Sequence, residues 1–319
     1  MAAAAASEDQ VHAAFVFIKP HAVTDKVQGL VKESLAGHGI TIVSEGRLEA
    51  QEIDEKLLID THYGAIAKRA VKQQPNELNV PPKAQAAFEE AFGMTWASAL
   101  EQNLVLNAVG ASARLGLDAD GLEGLWRTLK KGETLIKFGG GFYCGKLSDA
   151  EGEFFVINGF YLQMRSVFTT APAAIQWFSV TWPAASLSWA DFRGKVLGAT
   201  DPATAPEGAI RRAILDGWQE LGLDSEPNTG NNGVHASASP IEGLFERMNW
   251  LSADIEADVY GAELVAAGIP AETIKAWSED PAVPFEGSLQ SLFDLHEDMD
   301  APDCTARAVA VLAASKAEA

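Results

Sequence analysis

Apolar positions fall into two kinds of segment along this chain: short unbroken runs and stripes at helical spacing. Residues 12–19 (HAAFVFIK) are apolar, aromatic and β-branched until Pro20 stops them, which predicts a buried strand. Val27, Leu30, Val31 and Leu35 share one face of a helix over 24–38, closed by Gly37 and Gly39. Residues 40–48 (ITIVSEGRL) predict a second strand, and a short helix follows from Ile53 toward Tyr63. The order strand, helix, strand opens an α+β fold.

From 71 to 150 the character changes. Pro75, Pro81 and Pro82 punctuate the chain. Helical patterns then cover 83–92, 96–109 and 122–129, and 135–147 (LIKFGGGFYCGKL) predicts a hairpin about its glycines. The glycine run matches neither a dinucleotide fingerprint nor a P-loop, since no Lys-Ser or Lys-Thr follows in register. Core-like patterning returns at 154–164. Residues 174–182 (AIQWFSVTW) predict a central strand, 190–197 a short helix, and 233–237 a last short strand. Ser239, Pro240 and Glu242 then form a capping box with proline at the first helical position, and Ile241, Leu244, Phe245 and Met248 make one apolar face. Beyond Leu251 the patterns scatter, through an acidic DLHEDMD read as a solvated tail, to an alanine-rich end.

Composition narrows the class. Hydrophobic residues make up 47% and charged residues 21%, enough for a packed core. The 24 basic and 44 acidic residues leave a formal charge of −20, which repels nucleic-acid backbones and anionic membranes while leaving room for a local basic pocket. Eight tryptophans therefore belong to core and interfaces rather than to a platform for single strands. Two cysteines, Cys144 and Cys304, are too few for a disulfide framework and fit a reducing compartment. The opening MAAAAASEDQ lacks a basic n-region, and no window reaches the ~18–20 apolar residues of a membrane span, so a cytoplasmic protein is expected.

Three separated segments carry candidate chemistry. Ile18-Lys19-Pro20 ends the first strand. Gly198-Ala199-Thr200-Asp201-Pro202 is followed by Gly208-Ala209-Ile210-Arg211. Asn232, His235 and Ser237 lie around the last strand, with Glu246 eleven positions after the histidine. Taken singly, such residues are usually core or surface. In this order they resemble the nucleoside diphosphate kinase family, as does the His62-Tyr63 pair. The resemblance covers residues 13–66 and 152–251. The remainder reads as an N-terminal tail (1–12), a mostly helical insertion (67–151) and a C-terminal extension (252–319).

The resemblance implies a ferredoxin-like α/β sandwich with a four-stranded antiparallel sheet, matching the four strands expected at 12–19, 40–48, 174–182 and 233–237. It implies transfer of a terminal phosphate from a nucleoside triphosphate to a nucleoside diphosphate through a phosphohistidine on His235. Glu246 would orient the ring and Ser237 would support Glu246. Lys19 and Arg211 would neutralise phosphoryl oxygens, Thr200 would donate to the phosphates, Asn232 and Lys19 would reach the sugar, and Tyr63 would close the site. Mg2+ would bridge the distal phosphates without a protein cage. Homo-oligomers, or incorporation into a larger assembly such as a cilium, are the partners it implies. The chain departs from the pattern at His21, Ala236 and Ala238. Gly194 stands at the second phosphate arginine, so a one-residue slip would have to bring in Arg193. At the base-stacking wall the alignment offers Val156 and Phe160, with Phe155 beside them. The alternative reading is a non-catalytic scaffold that reuses the kinase-like core.

Overall fold

The computed structural model describes residues 10–318; residues 1–9, most of the expected tail, lie outside the described residues. Strand β1 (Val11–Ile18) already begins at Val11 and is buried from His12 onward. Both its faces are covered, so it reads as an unbroken apolar run rather than an alternating one. Ala14, Val16 and Ile18 face one core, while Phe15 and Phe17 stack on the opposite side near Trp250.

Helix α1 (Asp25–Gly37) follows, capped by the Thr24 hydroxyl, which accepts from Val27 N at 3.1 Å. Strand β2 (Thr41–Glu49) is mostly exposed, as befits a sheet edge, and β3 (Ala174–Pro183) lies between it and β1. Helix α2 (Ile210–Asp216) leads to β4 (Val234–Ala236), which pairs with the other side of β1. The sheet order is β2-β3-β1-β4 with every neighbouring pair antiparallel. This is the ferredoxin-like α+β topology. Val27, Val31, Leu35, Ile210 and Ile214 of α1 and α2 pack on one sheet face, against Phe178, Val180 and Trp182.

Helix α3 (Pro240–Leu251) packs on the other face. Of the expected capping box the Ser239 half forms: Ser239 Oγ accepts from Glu242 N at 3.2 Å, with Pro240 in the first turn. A Cβ on Gly243 would sit 2.9 Å from Ala13 O, so this glycine lets α3 press directly on β1.

The stretch after Leu251 is not loosely organised, as the scattered pattern suggested. Helices α4 (Val259–Ala266), α5 (Ala271–Trp277), α6 (Leu292–His296) and α7 (Ala301–Glu318) build a core of Tyr260, Leu264, Trp277, Leu295, Cys304 and Val311 around Ile241, Leu244 and Phe245 of α3. Short alanine-rich helices carry thin apolar stripes, and α3 supplies the surface that completes them. A buried ion pair ties α3 to α4: Arg247 donates to Asp258 at 2.7 and 2.8 Å, and Asp258 also caps α4.

The chain divides into two compact units, residues 1–52 with 171–319, and residues 53–170. The second is wider than the expected 67–151. Strand Gly152–Ile157, expected to resume the first core, pairs with Phe142–Asp149 and with Val105–Asn107. That last strand also interrupts the single helix expected over 96–109. Residues 53–66 join the same unit, where buried Asp60 accepts from Tyr161 Oη at 2.8 Å and Arg165 Nε at 3.0 Å. Besides its helices the unit therefore carries a four-stranded sheet. Among the described residues no helix is long and apolar enough to cross a membrane.

Candidate functional site

The ends of β1 and β4 are clasped by the two motifs that flank them. Lys19 N donates to Gly233 O at 2.8 Å, and Gly233 N donates to His21 Nε2 at 3.1 Å. Gly233 has φ +86°, and a Cβ there would meet Ile214 Cδ1 at 2.7 Å, so only glycine fits. The clasp fixes β4 in register, with His235 opposite Phe17; the two rings stack with centroids 4.7 Å apart.

His235 Nε2 lies 2.5 Å from Glu246 Oε1, and Ser237 Oγ donates to Glu246 Oε2 at 2.5 Å while accepting from Phe15 N at 2.9 Å. Glu246 is buried, and a buried carboxylate needs such partners. In the tautomer whose Nε2–H donates to Glu246 the lone pair lies on Nδ1, so the carboxylate favours that tautomer and fixes the ring angle together.

His235 opens on a cavity of about 450 Å³ whose lining includes Arg193, Thr200, Arg211 and Glu242. The loop behind it closes at Gly198, where φ is +93° and a Cβ would sit 2.8 Å from Ala205 Cβ. Arg211 is almost buried and spends its hydrogen bonds on backbone carbonyls: Val234 O at 3.1 and 3.0 Å, Gly198 O at 3.0 Å. Burial, then the neighbouring Arg193, lower its guanidinium to about 10. Lys19 donates to Gly230 O at 3.3 Å, and burial followed by repulsion from Arg211 brings its amine down to about 8. Burial and the Lys19 charge hold His21 at about 4, consistent with its role as a neutral acceptor. Glu242, in the first turn of α3, is pushed up by burial and then by Glu246.

Asn232 is buried; its Nδ2 donates to Thr200 O at 3.0 Å, while its Oδ1 has no hydrogen-bond partner. Thr200 itself is exposed. Arg193 donates to Glu297 at 2.9 Å and Asp298 at 2.6 Å. Those carboxylates also line the cavity, and Asp300 accepts from Trp189 N and His12 Nε2. The acidic DLHEDMD segment is therefore not a solvated tail: buried Leu292, Leu295 and His296 hold it in the fold. Sequence reasoning missed Glu297 and Asp298 because a charge run carries no mark of its partner.

The 53–170 unit holds the remaining expected residues. Tyr63 ends helix Leu58–His62, and Phe160 packs on Trp126 and Tyr143 with ring centroids at 5.8 and 6.0 Å. Val156 and Phe155 are buried in that unit's sheet, Phe155 against Phe88, which removes both from a base-stacking wall.

Fold and site define a ferredoxin-like α+β unit with a Ser–Glu–His chain beside an arginine-lined cavity. No protein-family description and no curated protein matches the chain. Among solved structures it is similar to a nucleoside diphosphate kinase from Encephalitozoon cuniculi, at 12% identity and a TM-score of 0.37, over 76% of this chain and 90% of that one. It is also similar to an NDP kinase from Pyrobaculum aerophilum, at 16% identity and a TM-score of 0.33, over 76% of this chain and 96% of the other. Likeness this distant carries no functional assignment. The functional reading rests on the site.

Proposed function

We propose that residues 1–52 with 171–319 transfer the terminal phosphate of a nucleoside triphosphate to a nucleoside diphosphate through His235. The observation that supports this most is the Ser237–Glu246–His235 chain, which aims an oriented imidazole at a cavity containing Arg211. His235 Nδ1 attacks the terminal phosphorus, a P–N bond forms, and the bridging P–O bond breaks to release the diphosphate. A second diphosphate then attacks through its terminal oxygen, the P–N bond breaks, and the histidine is restored. Arg211 and Lys19 offset charge on the transferring oxygens, and Glu246 stabilises positive charge that develops on the ring. Glu297 and Asp298 offer hard carboxylate oxygens compatible with a divalent cation, whereas Glu242, pushed up to about 8, carries its proton near neutral pH. Bound Mg2+ would supply charge neutralisation at the distal phosphates.

The test is incubation with Mg2+ and ATP labelled on the terminal phosphate. Acid-labile, base-stable label is expected on the native chain and none on His235→Ala. Label retained by that variant would sink the assignment. One observation favours a second reading, a non-catalytic scaffold: Arg193 already has two carboxylate partners. Complete absence of label on the native chain would support it.

A further inference from the structure

Arg193 sits on the cavity next to His235, where an entering phosphate would need a cation, yet two anions hold it. The segment that brings them is anchored at two points. Asp298 N donates to Ala238 O at 3.0 Å, three residues after His235, and Asp300 accepts from Trp189 N at 2.6 Å. Asp298 has φ +61°, a left-handed turn conformation. Burial works against the charge of Arg193, but the hydrogen bonds and charges of Asp298 and Glu297 outweigh it and keep the guanidinium protonated. Two carboxylates against one guanidinium leave this side of the cavity with a net negative charge. Both carboxylate side chains are 52% exposed, so water can receive them if they are displaced.

We infer that Glu297 and Asp298 are a built-in anionic occupant of Arg193 that competes with a phosphate-bearing ligand for the cavity beside His235. The inference takes its ligand class from the phosphotransfer reading. The closed state shown here is self-inhibited: a phosphate group binds Arg193 only after the carboxylates leave it. Charge–charge pairing of this kind is exchangeable, because both carboxylates accept from the one Nη1 of Arg193 and an incoming anion can accept from that same donor.

The experiment measures inorganic tripolyphosphate binding to the full chain by calorimetry, without magnesium, so that no histidine chemistry is needed. Glu297→Gln with Asp298→Asn is expected to tighten binding at least tenfold, and Glu297→Gln alone, which leaves the turn untouched, at least threefold. In an Arg193→Gln background the same double change is expected to alter binding less than twofold. Glu272→Gln with Glu279→Gln, two exposed carboxylates on and just after α5, controls for net charge and should also stay within twofold. An unchanged or unmeasurable affinity in the Glu297/Asp298 variants overturns the inference, as does an equal gain in the Arg193→Gln background or in the charge control. Tenfold tightening without label on His235 would leave the inference standing and remove phosphotransfer. Label on His235 without tightening would do the reverse.

Discussion

Lys19 shows how position changes the chemistry of a common residue. At the end of β1 it is largely withdrawn from water and close to the Arg211 charge, so its amine is brought down to about 8 from an ordinary value of 10.5. The sign follows directly. On the phosphotransfer reading the amine, charged below about pH 8, would attract phosphate, and above it the charge and the attraction would be lost. Affinity for tripolyphosphate should therefore fall several-fold between pH 7 and 9.5, with proton uptake on binding at the upper end. Lys19→Arg, which stays charged, should flatten the profile. Calorimetry in buffers of different ionisation enthalpy reads both effects, and a pH-independent affinity in the native chain would exclude this role. Lys19, Arg211 and His235 could be singled out from sequence because each sits in a short ordered motif. Glu297 and Asp298 could not, because their partner Arg193 lies more than a hundred residues away and nothing local distinguishes a paired carboxylate from a solvated one.

At the scale of elements, α3 joins the site to the C-terminal helices. Its start was legible from Ser239, Pro240 and Glu242, since capping is a local matter of satisfying first-turn N–H groups. Its apolar face of Ile241, Leu244, Phe245 and Met248 was legible too, but not what covers it, because those helices follow later in the chain. The same helix places Glu246 under His235 and, one residue on, Arg247 in a buried pair with Asp258. Arg247 also donates to Ala13 O at 2.9 Å. Asp258→Ala leaves that guanidinium buried without its counter-charge and should cost about 3–5 kcal/mol. Denaturant unfolding measures it, and a loss below about 1 kcal/mol would show that water reaches the pair. The expected helix over 96–109 shows the opposite failing. Its alanines gave helical periodicity, yet Val105–Asn107 became a strand because Gly152–Ile157 offered its edge.

For the molecule as a whole, the residues after Leu251 belong to the core that backs the site. Ile241, Leu244 and Phe245 are buried against α4–α7. A chain ending at Leu251 would expose them, and burial of each such side chain contributes roughly 1.5–3 kcal/mol. The shortened protein should lose cooperative melting or become insoluble; a melting temperature within a few degrees of the full chain would contradict this. Four strands, the capped helix and the ordered motif residues were determined by sequence alone, because hydrophobic runs, glycine turns and caps act over a few neighbouring residues. Tertiary structure alone decided that the second unit spans 53–170, that helices after Leu251 build a core with α3, and that acidic side chains sit on Arg193. Those outcomes rest on strand edges, apolar faces and charges meeting across long stretches of chain, and residue spacing carries no record of such meetings.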